Sequence, residues 1–296
     1  MSGGPLVVGA LGGSGTRLVA ALLMEVGYHL GDDLNPEKDN LWFTLLFKRP
    51  RWYAKVIEER PDEIRTGLRV LERAMVGGGE LGRDGRAFLL RALREALSGR
   101  HGQTRAHTPG WPLKQAWALW RGSAGDPSRR ARWGWKEPNS HVYLRELSGH
   151  FPGLKFVYVV RHGLDMAYSG NRQQLRNWGP LYGVPADGGA AAMLEYWIRA
   201  TRRAVADGER LLGERFLLLN YDELCTRPVE NLPRLLRFAG VDPAGADLAR
   251  LARLAEPPLT MGRYREHDLH EFPDPALDAV EQLGFPIDGR RAGRTP

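Results

Sequence analysis

The 296-residue sequence predicts an α/β fold, a three-layer α/β/α arrangement with a central parallel sheet and a mostly helical insertion. Three observations lead there. Short apolar runs of strand length recur at residues 6–11, 154–160 and 216–219, each followed by a segment with helical periodicity. These runs are apolar throughout, as strands covered on both faces of a parallel sheet must be. Between the first run and the next strand signal at 132–136, residues 40–130 read as helical and irregular, an insertion into the repeat.

A chain of this length can bury one sizeable core. We expect a single domain over 1–296, with the insertion at about 40–130 and a loose basic tail at about 287–296. Hydrophobic content of 43% and charged content of 26% are those of a soluble globular protein. The formal charge of +7 is a mild bias toward anionic ligands, and Arg290, Arg291 and Arg294 in the tail supply three of those charges. No concentrated basic stripe suggests a nucleic-acid surface. The single cysteine, Cys225, excludes an internal disulfide and a cysteine-ligated metal site. The N-terminus lacks a basic leader, and no apolar run is long enough to span a bilayer. A soluble, cytoplasmic protein is expected.

The first strand (residues 6–11) is broken by Gly12, Gly13, Ser14 and Gly15, and a helix comes next over 17–26. Strand, glycine turn and helix aim several backbone N–H groups and a helix N-terminus at one spot. Glycines leave the backbone bare, so an anion can sit against it. Ser14 and Thr16 add hydroxyls, and Arg17 adds a fixed, forked positive charge. The natural ligand is a phosphate or sulfate, and a plain tight turn is the competing reading. A kinase-type loop would carry Gly-Lys-Ser/Thr, whereas Gly15-Thr16-Arg17 stands here, and no dinucleotide fingerprint is present.

Gly27 and Gly31 then turn the chain, and Asp32 and Asp33 come next; taken alone they read as a solvated turn. Trp42, Phe43, Leu46, Phe47, Trp52 and Tyr53 have near-helical spacing, which favours core over an acceptor pocket. Residues 76–85 read as a loop, 88–97 as an amphipathic helix, and 100–112 and 122–130 as surface loops. A short strand ends at Lys136, and Ser140 can cap a helix to His150. The strongest strand, 154–160, runs into Arg161 and then a helix through Asp165 to Ser169. A long helix over 190–212, a strand at 216–219 closing on Tyr221, and a helix over 228–238 complete the pattern. Ligands of parallel sheets bind at the carboxyl ends of the strands, where Gly12 to Arg17, Lys136, Arg161 and Tyr221 all fall.

The residue type at the end of the strongest strand narrows the chemistry. A magnesium-nucleotide enzyme usually places an aspartate there. This chain places Arg161, whose guanidinium can bind a phosphate directly, and Ser169 lies two helical turns further on. Two phosphate sites without a metal carboxylate suggest a doubly phosphorylated nucleotide and no metal.

At these residues the chain resembles the sulfotransferases that use 3′-phosphoadenosine 5′-phosphosulfate, in the manner of bacterial relatives of carbohydrate and tyrosylprotein sulfotransferases. The likeness lies in three blocks in family order: Gly9 to Arg17, Phe156 through Arg161 to Ser169, and Leu217 to Gly240 with its Tyr221-Asp-Glu-Leu. The resemblance implies a P-loop-like fold with Gly12, Gly13, Ser14, Gly15, Thr16 and Arg17 around the 5′-phosphosulfate. It implies Arg161 and Ser169 on the 3′-phosphate with Arg172 nearby, Tyr221 near the nucleotide, and Arg263 returning from a late basic segment. The family commonly has a basic residue where Gly13 stands. Either Arg17 and Lys136 supply that charge, or the protein only binds nucleotide.

Sulfonyl transfer is an in-line displacement at sulfur that needs cations at the bridging oxygen and a base for the acceptor hydroxyl. The resemblance implies Asp33 as base, in its Gly-acid-acid setting, with His29 and Asp32 as alternatives, and Lys136 and Arg17 as the cations. A hydroxyl of a small-molecule, saccharide or lipid-linked acceptor is the implied partner. A P-loop kinase and a non-catalytic nucleotide-binding module are the competing functions.

Overall fold

In the computed structural model, which describes residues 4–99, 101–102, 110–122 and 131–290, strand β1 spans Leu6–Ala10 and helix α1 spans Thr16–Glu25. The insertion is built from α2 (Leu41–Phe47), α3 (Pro50–Glu59), α4 (Asp62–Val76), α5 (Arg83–Leu97) and α6 (Trp111–Arg121). Then come β2 (Gly134–Lys136), a 3₁₀ turn at Pro138–Tyr143, α7 (Leu144–His150) and β3 (Lys155–Val160). Next are α8 (Gly163–Ala167), α9 (Gln173–Trp178), α10 (Ala190–Leu212), β4 (Phe216–Asn220) and α11 (Tyr221–Thr226). The described chain closes with α12 (Pro228–Phe238), α13 (Leu248–Ala252) and α14 (Asp274–Gln282). The four strands form one parallel sheet in the order β2-β1-β3-β4, with Val7 of β1 in register with Trp135 of β2. The α/β class and the parallel sheet read from the apolar runs are therefore present.

The described residues group into two compact units. The first holds residues up to 10, 16–157 and 207–217; the second holds 11–15, 158–206 and 218 onward. In the first unit the insertion is built on an aromatic core. Phe43 stacks on Trp135 with centroids 5.8 Å apart and meets Phe47 at 4.8 Å, and Tyr53 lies edge-on to Tyr143 at 4.6 Å. Both tyrosine hydroxyls donate to backbone carbonyls, Tyr143 to Phe47 at 2.6 Å and Tyr53 to Val142 at 3.1 Å. These aromatics are fully buried, so the core reading of residues 42–53 holds for them, while Trp52 is only half-buried beside Phe47 and Phe88. In the second unit the core gathers around Trp178, Tyr196, Trp197 and Tyr158, the last meeting Thr201 Oγ1 at 3.2 Å.

Several boundaries differ from the sequence reading. Ser140 does not cap the helix to His150, because its hydroxyl accepts from the Trp135 indole at 3.0 Å. The Glu137 side chain caps the 3₁₀ turn instead, accepting from Asn139 N at 2.7 Å. Helix α5 begins at Arg83, inside the segment read as a loop, and α6 begins at Trp111, inside the segment read as 100–112. Ile287 is buried and Arg290 pairs with Asp274 and Asp278, so ordered packing reaches residue 290 of the expected loose tail. The rest of that tail, 291–296, and most of the expected loops, 100, 103–109 and 123–130, lie outside the described residues.

Candidate functional site

In the second unit the loop of residues 11–15 closes tightly, Ser14 N donating to Leu11 O at 3.1 Å. Ser14 is buried, while Gly13 and Gly15 take φ of +97° and +85°, a region that L side chains rarely enter. A Cβ at Gly15 would lie 2.0 Å from Cε2 of Tyr221, so the ring packs directly on loop backbone. Tyr221 opens α11, whose cap Asn220 accepts from Glu223 N at 3.1 Å. Burial pushes the Tyr221 hydroxyl pKa above its ordinary value, keeping it neutral.

Arg161 leaves the end of β3 into this setting. One of its terminal nitrogens donates to the Thr260 carbonyl at 2.6 Å and hydroxyl at 3.0 Å, and the other reaches Gly13 O at 3.4 Å. The guanidinium lies 5.7 Å from the Tyr221 ring centroid and 3.6 Å from the Asp165 carboxylate. Its Nε is buried and has no hydrogen-bond partner among the described residues. Asp165, fully buried, ties the late segment down by accepting from Gly262 N at 2.7 Å and Tyr264 N at 3.2 Å. Arg263 donates through Nε to the same Thr260 carbonyl at 3.2 Å. Burial, and then the charge of Arg161, lowers the pKa of Arg263. Two cations thus share one carbonyl at the mouth of a glycine loop, and an oxyanion there would relieve their repulsion.

The arginine itself is held rigidly. Its carbonyl accepts from the Trp197 indole at 3.1 Å, and the next amide, His162 N, donates to Asp222 at 2.9 Å. His162 caps α8, its Nδ1 accepting from Leu164 N at 3.2 Å, which leaves Nε2–H to donate to Pro286 O at 3.2 Å. Burial lowers the imidazole pKa, consistent with a neutral structural histidine.

Ser169 does not lie on the helix after Arg161, because α8 ends at Ala167. Its hydroxyl accepts from Asn171 N at 3.2 Å. Arg172 donates to Gly189 O at 2.9 Å. The structure therefore gathers Gly13, Gly15, Arg161, Tyr221 and Arg263, whereas the contacts of Ser169 and Arg172 lie elsewhere. Gly12 belongs to the same loop, with open van der Waals distances to Gln174.

In the first unit Thr16 is buried and Arg17 exposed at the start of α1. Lys136, at the end of β2, is 3% exposed; its ammonium donates to Asp39 Oδ1 at 2.5 Å and Glu37 O at 2.8 Å. Asp33 accepts with Oδ2 from Gln115 at 2.9 Å and pairs through the same oxygen with Lys114 at 2.8 Å, both on α6. Asn40 stitches these segments together: its amide N donates to Lys136 O at 2.8 Å and its side chain to Leu30 O at 3.0 Å. Leu41 N then donates to Asp33 O at 3.1 Å. His29 Nε2 lies 3.8 Å from Asp32. The buried Glu137 carboxyl is pushed up to about 7 by burial, with Asp39 adding and Lys48 opposing. Sequence reasoning missed Asp39, Thr260 and Asp165. Asp165 carried a signal, being one helical turn from Arg161, whereas Asp39 and Thr260 meet their partners across about a hundred residues.

A glycine loop between β1 and α1, set on a parallel sheet, defines an α/β protein of the P-loop-like class. The sulfotransferase family profile matches residues 5–244, and the chain belongs to that family. It is an enzyme of the class whose co-substrate is 3′-phosphoadenosine 5′-phosphosulfate. Solved structures similar to it include the sulfotransferase domain of the Synechococcus PCC 7002 olefin synthase, at 16% identity and TM-score 0.46, covering 96% of this chain and 97% of that one. The sulfotransferase domain from the curacin biosynthetic pathway matches at 14% identity and TM-score 0.49, covering 97% and 99%. Retinol dehydratase in complex with androsterone and the inactive cofactor PAP matches at 15% identity and TM-score 0.45, covering 97% and 82%. No curated protein matches the chain.

Proposed function

We propose that the protein transfers a sulfonyl group from 3′-phosphoadenosine 5′-phosphosulfate to a hydroxyl of a small-molecule, saccharide or lipid-linked acceptor, in the cytoplasm. The observation that carries this reading is the Arg161 guanidinium. It is buried, keeps one donor without a partner among the described residues, and lies beside Arg263 and the glycine loop. A buried charged donor left unpaired is costly, and a phosphate oxygen would satisfy it. The residues therefore fit a nucleotide bearing a 3′-phosphate.

When bound, the co-substrate supplies the sulfonyl group and a bisphosphate leaving group. Arg161 and Arg263 would hold the 3′-phosphate, with Ser169 and Arg172 as outer contributors, and Tyr221 would flank the nucleotide. Gly12, Gly13, Ser14, Gly15, Thr16 and Arg17 would take the 5′-phosphosulfate. Asp33 is assigned as the base, since its second carboxylate oxygen has no partner among the described residues. It would take the hydroxyl proton as the acceptor oxygen bonds to sulfur and the sulfur–oxygen bond to the leaving phosphate breaks. Lys136 and Arg17 would counter the charge growing on that leaving oxygen.

Calorimetry without metal tests the assignment. Adenosine 3′,5′-bisphosphate should bind roughly ten- to a hundredfold more tightly than 5′-AMP, the worth of a charged hydrogen-bonded contact. Labelled donor should also turn over with a hydroxyl acceptor from a broad panel. Equal affinity for the two nucleotides, or a strict Mg²⁺ requirement, overturns the reading.

A further inference from the structure

Helix α6 presents an apolar face that nothing in the described structure covers. Leu113, Trp117 and Trp120, at i, i+4 and i+7, share one side and are 54%, 63% and 39% exposed. The opposite side is core, with Ala116 and Leu119 buried and Gln115 holding Asp33. The neighbouring α5 adds Leu90 and Leu97, 45% and 57% exposed. Two large indoles in water on adjacent turns are an unusual surface for a chain whose other aromatics are mostly packed away.

Charge is concentrated in the same stretch of sequence. Residues 83–132 contain eleven Lys and Arg against three Asp and Glu, a net of +8 where the whole chain carries +7. The remainder of the protein is therefore close to neutral. The bias is hidden in a linear reading because the charges are spread over fifty residues; packing α5 against α6 brings together those on the two helices. Arg86 of α5 lies over the Trp120 ring at 5.5 Å, and Arg121 lies 6.0 Å from the Trp117 ring. Arg83, Arg91 and Arg94 on α5 are exposed, and Lys114 on α6 is 70% exposed while paired with Asp33.

We propose that this α5–α6 face docks on an anionic lipid bilayer. Indoles and leucines at helical spacing, ringed by arginines, match a boundary that is apolar on one side and negatively charged on the other. Long basic side chains can reach the headgroups while the indoles seat at the acyl boundary. The chemistry suits peripheral attachment: no described helix is long and apolar enough to cross a membrane. Docking goes beyond the transfer reaction and does not depend on the nucleotide assignment, although it would bring a lipid-linked hydroxyl to the helix that holds Asp33.

The test is co-sedimentation of the full chain with vesicles of phosphatidylcholine alone or with one-third phosphatidylglycerol. The protein should pellet with the anionic vesicles, shift its tryptophan emission to the blue, and release as salt rises. Trp117→Ala with Trp120→Ala should weaken partitioning about tenfold or more. Arg83→Gln with Arg94→Gln should weaken it about fivefold for each charge removed. These positions are exposed, and unchanged thermal unfolding and adenosine 3′,5′-bisphosphate affinity will show that the variants are folded. Equal binding to neutral vesicles, or no binding to either, overturns the proposal. So does self-association that disappears in the tryptophan variant while vesicles are ignored, because the face would then belong to a second copy of the chain.

Discussion

Gly15 and Tyr221 are complementary at the level of a single atom: the ring occupies the space where any side chain at position 15 would begin, 2.0 Å from the Cβ site. The ring also lies under Arg161, so the contact couples the shape of the loop to the position of the cation.

The first prediction rests on that contact. Gly15→Ala meets both the ring and a φ of +85°, and should destabilise the protein by about 1–3 kcal/mol and weaken nucleotide binding. Adding Tyr221→Ala removes the clash but leaves the backbone strain. The double variant should recover part of the lost melting temperature; additive losses would show that the contact is not the cause.

Gly13 yields a second prediction, opposite in sign to what the resemblance implies. A basic residue is common there in the family, yet Gly13 has φ +97° here. Space is not the obstacle, since the nearest atom to a Cβ is Met166 Cε at 3.5 Å. Gly13→Lys should cost about 1–2 kcal/mol of stability and fail to improve donor binding. A Gly13→Lys protein of undiminished melting temperature and tighter nucleotide affinity would refute this.

The third prediction separates the candidate bases. Asp33→Asn should lower kcat about 10²–10⁴-fold with little change in nucleotide affinity. Because Gln115 donates to Asp33, the asparagine can still accept that bond, so its melting temperature should move little. His29→Ala should retain most activity. A full-speed Asp33→Asn enzyme beside an inactive His29 variant would transfer the role to His29.

The fourth concerns pH and rests on two buried groups that pull in opposite directions. Burial holds Glu137 up at about 7, with Asp39 raising and Lys48 lowering it, so its contribution to stability is full below about 4.5 and is lost as pH rises through 7. Burial drives His101 down to about 4, with Lys48 and Arg49 lowering it further against two backbone carbonyls. Its contribution is full above about 6.5 and is lost as pH falls through 4. Between about pH 4.5 and 6.5 folding releases one proton at His101 and takes one up at Glu137, so the wild-type profile should be nearly flat there with respect to these groups. His101→Gln should unmask stability that falls as pH rises, and Glu137→Gln stability that rises with it. Urea unfolding across that range decides: identical slopes in both variants would dismiss the compensation.

The strands were legible because a strand buried on both faces is an apolar run, as β1 and β3 are; β4 is also an apolar run, although at the sheet edge its alternate residues are only half-buried. Helix α10 was legible for the complementary reason: its periodicity runs unbroken from Ala190 to Leu212. Short-range chemistry could mislead where a distant group takes over, as at Ser140, whose hydroxyl is engaged by an indole and so cannot cap. The length of α8 was hidden too, since Tyr168 and Ser169 look helical but lie beyond its last residue. Of the candidate site, the glycine loop and Arg161 could be read because strand ends and loop glycines are local features. The partners that fix the chemistry of Lys136 and Arg161 could not, because Asp39 and Thr260 reach them only through the fold.

Asp165 has a consequence in time. Its two oxygens accept from the amides of Gly262 and Tyr264, about a hundred residues later, and its charge faces Arg161. While a ribosome is still making the intervening chain, Arg161 has Asp165 and the Gly13 carbonyl within reach, and Thr260 does not yet exist to bind the guanidinium. The cation pair around the Thr260 carbonyl is thus among the last parts of the described protein to be assembled.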